Sequence, residues 1–304
     1  RRLERSAHRG NVMAEASIPV DLLNPGQVFA CLGFMEAAEI LCGSCKGMFA
    51  YNSAGSSATF TLEVDGARDP ISETLRFLAG ADARAIAPRN SDLSTEKWDV
   101  ETLQSDTFVF PSAAPNTPAA LPMLLTSGQQ SIPIEHWADG SDRDNVKFWA
   151  GAAGYPGAAL ARDALNLVRE LGDNAFADAA GDPFNVSAPQ SSSFRFDWRR
   201  DYIPLDAGFS PNEHGGVEMV GYPFVELLAA IGMQNARPAR VDARNKLAYR
   251  YGVSSAMLPT VFVRAVLGGE SLGFPIRSFR MRLGWPGQEG QARCIIDAQE
   301  EPSP

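Results

Sequence analysis

Histidine and cysteine are scarce in this chain, and their scarcity narrows the chemistry that it can perform. Only three histidines and four cysteines occur among 304 residues. A zinc site draws on three or four such ligands at regular spacing, and the acids near His136 match no helical or hairpin ligand set. Four cysteines in a chain of this length do not indicate a disulfide scaffold either. The sequence therefore predicts no metal or other cofactor, and it predicts reduced thiols in the cytoplasm.

Catalytic and membrane signatures are also missing from the sequence. The chain contains no G-x-x-x-x-G-K-[ST], G-x-G-x-x-G, G-x-S-x-G or H-E-x-x-H pattern, so the best-known nucleotide-binding, hydrolase and metalloprotease motifs are absent. No apolar run approaches the roughly 20 residues of a membrane helix. These absences favour a protein without an active site and without a membrane partner. Catalytic groups are assembled in space, however, so an enzyme stays an alternative.

One cysteine pair has the spacing of a redox motif, Cys42-Gly-Ser-Cys45. A redox pair needs the N-terminus of a helix beneath its first thiol, because that end stabilises the thiolate. Here the pair follows a predicted helix from Gln27 to Leu41 and lies at its opposite end. We interpret these residues as ordinary thiols. A thiol redox enzyme using this pair, or a metal-dependent or hydrolytic enzyme using His136, is the least favoured alternative.

Short segments with the periodicity of strands, and others with that of helices, predict an α+β fold. Phe60, Leu62 and Val64 alternate with polar residues, which is typical of a half-buried strand. Asp69 and Pro70 supply a cap and a first helical residue. Further helices are predicted at residues 160–171, 223–232 and 259–267. We expect a mixed N-terminal β/α region, followed by a more helical C-terminal region that carries arginine-bearing strands.

Proline enrichment indicates an internal boundary. Four prolines lie among Ala, Ser and Thr between residues 105 and 122, a composition typical of a loop or linker. The predicted organisation is an upstream extension at 1–12, an N-terminal α+β region at 13–110, a linker or loop at 111–122, and a C-terminal, nucleic-acid-facing α+β region at 123–304.

Charge is distributed unevenly along the chain. The formal net charge is −9, yet residues 235–293 hold ten basic and only three acidic residues. This stretch therefore carries +7 and the remainder −16. Such asymmetry favours a polyanion on one part of the protein and basic protein neighbours on the other.

Two segments alternate apolar residues with arginines. Alternation across residues 194–199 predicts a strand with Arg195 and Arg199 on one face, and Arg200 just beyond it. Alternation across residues 278–283 places Arg280 and Arg282 on one face of a second strand. The pattern fits a guanidinium surface for nucleic acid, and it fits equally well arginines that are paired with acids elsewhere.

Several longer segments, taken together, resemble a known family. They are IPVDLLNPGQVFACLGFMEAAEIL, LSTEKWDV, RDNVKFWAGAAGYPGAALARDAL, APQSSSFRFDWRRDYIPLDAGFSP, GYPFVELLAAIG and FRMRLGWPGQ. The likeness runs from Ile18 to about Asp297 and is to the large, Cas8-type subunit of the Cascade surveillance complex in type I-U (I-G) CRISPR–Cas loci. It implies a non-catalytic antiviral-defence subunit with crRNA, target DNA, other Cascade subunits and a nuclease-helicase as partners. Such a subunit contacts duplex DNA near the protospacer-adjacent motif and supports R-loop formation.

Side-chain chemistry suggests which residues would make these contacts. Long basic side chains would neutralise phosphates, and short polar side chains of one loop would approach a groove. The candidate nucleic-acid-binding residues are Lys147, Gln190, Ser191, Ser192, Arg195, Arg199, Arg200, Arg244, Lys246, Arg250, Arg277, Arg280 and Arg282. The main alternative is a ferredoxin-like backbone subunit that grips crRNA. That alternative predicts β-α-β-β-α-β halves and more than one copy in the complex.

Overall fold

The structure is a computed structural model of the chain, and it confirms the α+β class. It describes residues 13–52, 55–106, 117–134, 155–171, 176, 178–201, 219–270, 272–284 and 293–302. Among the helices of these residues, none has the length and apolar character that crossing a membrane requires.

Strands and helices alternate along most of the described chain. The strands are β1 (Met13–Asp21), β2 (Cys45–Tyr51), β3 (Ser57–Asp65), β4 (Asp82–Pro88), β5 (Thr102–Ser105), β6 (Met123–Ser127), β7 (Gln130–Ile134), β8 (Ala188–Pro189), β9 (Val220–Gly221), β10 (Ala239–Asp242), β11 (Asn245–Ser254), β12 (Leu258–Pro259), β13 (Ile276–Gly284) and β14 (Cys294–Glu301). The helices are α1 (Pro25–Leu41), α2 (Pro70–Ala79), α3 (Gly157–Glu170), α4 (Trp198–Asp201), α5 (Pro223–Gly232) and α6 (Thr260–Leu267).

The first sheet has the strand order β1-β3-β2-β12, and every neighbouring pair in it is antiparallel. The predicted inward side chains of β3, Phe60, Leu62 and Val64, are buried. Helix α2 begins as predicted, because the Asp69 side chain accepts a hydrogen bond from the backbone N–H of Ser72 at 2.8 Å and Pro70 follows it. The strand and cap predictions for this region are confirmed.

The second sheet, β5-β4-β6-β7, draws its strands from both sides of the proline-rich segment. Antiparallel pairing joins β4 to β6, and parallel pairing joins β4 to β5. Residues 111–116 of the segment lie outside the described residues, and Pro118–Ala120 form one turn of 3-10 helix. The chain therefore returns to the same sheet after the predicted linker, and one hydrophobic core extends across both sides of it.

The third sheet, β10-β11-β13-β14, is antiparallel throughout and includes the predicted arginine-bearing strand. In β13 the alternation is confirmed, since Phe279, Met281 and Leu283 are buried whereas Arg282 is exposed. Helix α6, which precedes β13 in the chain, ends as predicted, because Gly268 follows it. Three strands of this sheet escaped prediction: β10 and β11, which lie between the helices predicted at 223–232 and 259–267, and β14, which completes the sheet at its edge.

The other predicted arginine-bearing strand is wrong. Residues 191–197 form a loop that leads into α4, and the nearby pairing is limited to β8 and β9. Arg195 has a φ of 65°, a left-handed conformation that interrupts an extended run. The buried carboxylate of Glu226 then accepts hydrogen bonds from the backbone N–H groups of Phe196 and Asp197. These backbone groups therefore bond to a side chain and not to a strand.

Close contact between α1 and α5 forms the centre of the core. Nearly all of α1 is buried, and its Gly33 lies directly against the backbone of Leu228 in α5. A Cβ at Gly33 would lie 1.9 Å from the Leu228 carbonyl oxygen, and a Cβ at Gly232 would lie 2.1 Å from that of Phe29. The two helices can approach this closely only because glycine has no side chain.

Replacing Gly33 with alanine tests this contact. Helix propensity alone predicts that Gly33→Ala stabilises the protein by about 1 kcal/mol, whereas overpacking predicts a loss of about 3 kcal/mol. We expect the loss, measured as the free energy of unfolding in denaturant. Gly181→Ala is the control, because its nearest neighbour would be 3.7 Å away. Equal effects of the two substitutions would contradict the proposed contact.

Candidate nucleic-acid interface

Three arginines share the outward face of the third sheet. Arg250 in β11 lies directly opposite Arg280 in β13, and Arg282 follows two residues along the same strand. Opposite residues of antiparallel strands point to the same side, so all three guanidinium groups lie on one surface, the arginine face. The rigid sheet holds them at fixed spacing.

The edge strand β14 supplies carboxylates to two of these arginines. Arg282 donates to both carboxylate oxygens of Asp297 at 2.9 and 2.8 Å through Nε. Arg250 binds Glu301 through Nε and through Nη2, the latter at 3.2 Å. The hydrogen bond from Arg250 lowers the pKa of Glu301. For these two arginines, the structure therefore contains the pairing with acids that the sequence had left open.

Arg280, between them, has no such partner. Its Cα partner on β14 is Gln299, which carries no charge. No ion pair joins its guanidinium to any residue that the structure describes, and its buried Nε has no hydrogen-bond partner there. A like charge, Arg250, lies directly opposite on the other side. Glu301 lies near enough for the Arg280 charge to help lower its pKa, although its hydrogen bonds go to Arg250. Arg280 therefore has an unpaired donor and a like charge opposite it, and no acid pairs with it directly among the described residues.

Arg277 behaves differently from the arginine face, although it is on the same strand. Its guanidinium lies 4.8 Å from the ring centroid of Tyr51 and 5.4 Å from that of Phe279. It donates to the Gly55 carbonyl at 3.0 Å and to both carboxylate oxygens of Glu300. With only 10 % of its side chain exposed, Arg277 serves to join the third sheet to the β2–β3 hairpin.

Two arginines of α4, Arg199 and Arg200, are also used internally. Arg200 is buried and donates to the main-chain carbonyls of Gln190 and Ser191 at 3.1 and 3.0 Å. Arg199 binds the buried carboxylate of Asp197 at 2.6 Å and stacks 3.5 Å from the ring centroid of Tyr222. Both side chains hold the loop in shape.

A buried carboxyl group fixes this loop from below. Glu226, in the first turn of α5, accepts the Asp197 N–H at 3.0 Å and the Phe196 N–H at 3.3 Å. Burial raises the pKa of Glu226 to about 7, although these backbone hydrogen bonds oppose the shift. Asp197 is also buried and accepts a hydrogen bond from the Asn24 side chain at 3.0 Å. The loop is thus tied both to α5 and to the start of α1.

The short polar residues of the loop divide between interior and surface. Ser191 is exposed, whereas Ser192 donates its hydroxyl hydrogen to Asp163 at 2.5 Å. The Gln190 side chain is 2 % exposed, and its carboxamide has no hydrogen-bond partner among the described residues. Arg195 is half-buried. Ser191 is therefore the exposed member of this set, and Arg195 is partly accessible.

The remaining candidates lie away from the arginine face or outside the described residues. Arg244 is exposed at the turn between β10 and β11, where its backbone N–H donates to Asp242 at 2.7 Å. The structure describes the backbone of Lys246 but not its side chain, and Lys147 lies outside the described residues. The structure therefore brings together Arg250, Arg280 and Arg282 on one sheet, whereas Arg199 and Arg200 lie on α4, which contacts β14.

The cysteine pair has the environment that was expected. Cys42 and Cys45 follow the C-terminal end of α1, and all four cysteines of the chain are free. The Cys45 thiol donates to the Met35 carbonyl at 3.4 Å and lies 3.1 Å from the Thr260 hydroxyl. Burial raises the pKa of Cys45 to about 12. The attacking thiol of a redox pair is the first cysteine, here Cys42, and burial raises its pKa as well. A thiol redox pair requires a lowered pKa at that position.

Comparison with known proteins identifies no relative of this chain. No family model matches the chain, and comparisons with curated proteins and with solved structures give no significant match. Within the described residues, no cluster of three His, Cys, Asp or Glu side chains could hold a metal ion. His8, His136 and His214 lie outside those residues.

Changing pH tests the buried carboxyl of Glu226. Because its pKa is about 7 in the folded protein against 4.5 ordinarily, the folded state binds this proton more tightly. The resulting stability is present in full below about pH 4.5 and is lost as the pH rises through about 7. We expect Glu226→Gln to flatten the fall in thermal unfolding midpoint between pH 5 and 8.

The control is Glu270→Gln, which changes an exposed glutamate just after α6. Its unfolding midpoints should follow the wild-type pH profile. Parallel profiles for wild type and Glu226→Gln would contradict the pKa assigned to Glu226.

Proposed function

We propose that this protein is a non-catalytic subunit of a type I CRISPR Cascade complex and that it contacts nucleic acid through the arginine face. The resemblance between Ile18 and about Asp297 supplies the complex and its partners. The sheet supplies the surface, since its guanidinium groups are held at fixed positions on one side. In this proposal the subunit acts at target duplex near the protospacer-adjacent motif, supports R-loop formation and helps to recruit the nuclease-helicase.

The state of Arg280 is the observation that carries this proposal. The Nε of Arg280 lacks a partner among the described residues but is itself inaccessible to solvent, so an incoming phosphate would meet the accessible part of this half-buried guanidinium. Phosphate oxygens accept hydrogen bonds from guanidinium in the same planar geometry as carboxylates. Nucleic acid would therefore provide the anion that β14 does not provide at Gln299. Binding of this kind is insensitive to sequence and sensitive to salt.

Any contact with bases falls to the surface of the loop. Ser191 and Arg195 are its more accessible residues, and Arg199 and Arg200 hold the backbone beneath them. A loop that is already rigid loses little conformational entropy when it meets a groove. We therefore restrict the groove-contacting role to Ser191 and Arg195, with the arginine face as the phosphate surface.

Removing the Arg280 charge tests the proposed phosphate contact. In a complex assembled with crRNA, Arg280→Gln should weaken target-DNA binding about tenfold and reduce the slope of log K against log salt by about 0.9. The measurement is a titration at several salt concentrations. Arg76→Gln is the matched control, since that side chain is 66 % exposed on α2. Unchanged affinity of Arg280→Gln at moderate salt would overturn the proposal.

A second candidate function, a backbone subunit gripping crRNA, is favoured by the N-terminal topology. The chain begins β1-α1-β2-β3-α2-β4, the element order of a ferredoxin-like unit. Strands β1, β3 and β2 also lie side by side in an antiparallel arrangement, with β3 between the other two. The unit is incomplete, because β4 joins the second sheet and does not pair with β1.

Copy number separates these two candidates. A large subunit at one end of the complex should be present once, whereas a backbone subunit should repeat along the crRNA. We expect one copy when the intact complex is weighed by native mass spectrometry. Several copies per crRNA would replace the first proposal with the second.

A further inference from the structure

We infer that strand β14 acts as an internal competitor for nucleic acid, its carboxylates occupying the guanidinium groups that phosphates take up on binding. This inference rests on the proposed function and concerns how that same surface is regulated. The strand lies at the edge of the third sheet, beside β13. It therefore places acidic side chains alongside the arginine face without covering that face.

The side chains of β14 on this face alternate in a way that matches the arginines. Asp297 lies opposite Arg282, Gln299 opposite Arg280, and Glu301 opposite Ser278, from where it reaches Arg250. Two occupied guanidinium groups thus flank one that is unoccupied by any described acid. A polyanion could bind Arg280 first and meet an exchangeable carboxylate on either side.

The two flanking ion pairs are partly open to solvent, so a phosphate can replace the carboxylate in each. Side-chain exposure is 56 % and 39 % in the Arg282–Asp297 pair and 42 % and 21 % in the Arg250–Glu301 pair. Exposed ion pairs contribute little net stability, because water and salt compete with them. Exchanging a carboxylate for a phosphate keeps the guanidinium satisfied, and the released carboxylate is hydrated at the edge of the sheet.

The third acid of this strand provides an internal contrast. Glu300 points to the other side of β14, where it binds Arg277. The Arg277 side chain is 10 % exposed and is also held by Tyr51 and the Gly55 carbonyl. The competitor role therefore belongs to Asp297 and Glu301 and excludes Glu300, although all three lie within five residues.

Neutralising the two competing acids tests the inference. In the crRNA-loaded complex, Asp297→Asn with Glu301→Gln should tighten target-DNA binding about tenfold at moderate salt. It should also steepen the salt dependence, because phosphate then displaces no protein carboxylate. Glu300→Gln should leave the affinity near wild type. Glu15→Gln with Asp65→Asn is the charge-matched control, since both acids are exposed on the first sheet.

The outcomes separate this inference from the proposed function. If Arg280→Gln weakens binding but the β14 double variant binds like wild type, the competitor role is wrong and the nucleic-acid surface stands. If the double variant and its charge-matched control tighten binding equally, the effect is bulk charge and the inference is again wrong. If Arg280→Gln has no effect in either background, the proposed surface itself fails. The single variant Glu301→Gln, expected to give a smaller gain, replaces the double variant should that one fail to fold.

Discussion

The structure depends on a helix that is buried on nearly every side. Helix α1 packs against the first sheet, against α5 through Gly33, and against the third sheet through Phe29, whose ring lies 5.9 Å from that of Tyr251. Its N-terminal Asn24 also holds the loop carboxylate of Asp197. Because one helix serves as the common neighbour, packing in the core contributes to the position of the arginine face relative to the loop, and α4 also contacts β14 directly.

Local pattern was sufficient to predict most elements but not this role of α1. The caps and apolar spacing of α2, α5 and α6 are local signals, and these helices lie where they were predicted. For α1 the sequence predicted a helix from Gln27 to Leu41, but not that glycine and alanine let nearly all its sides be covered. For the loop near residue 195, the local pattern predicted the wrong structure. Its aromatic alternation is typical of a strand, but the backbone partner is Glu226, 30 residues away from Phe196, and no local pattern reveals that.

The sequence pointed to the arginines of the candidate site but not to the acids that pair with them. The excess of +7 over residues 235–293 drew attention to the arginines of this sheet, but the sequence beyond it holds Asp297, Glu300 and Glu301 without any base. Those three acids belong to β14, which pairs with the arginine-bearing strand. A count of charged residues along the chain therefore overstated the positive charge of the folded sheet. An acidic C-terminal segment after a basic one was the available signal, and only strand register could convert it into specific pairs.

The arginines of this chain differ in how far their partners can be exchanged, and this difference separates structure from function. Arg199 and Arg200 bind buried groups, so releasing them would leave unpaired donors and a buried charge, which is costly. Arg250 and Arg282 bind the partly exposed carboxylates of Glu301 and Asp297, where water and salt compete with the ion pair. An incoming phosphate can thus compete for Arg250 and Arg282 but not for Arg199 and Arg200. Since Arg280 lies between the two exchangeable positions, a polyanion that binds there meets the least resistance on both sides.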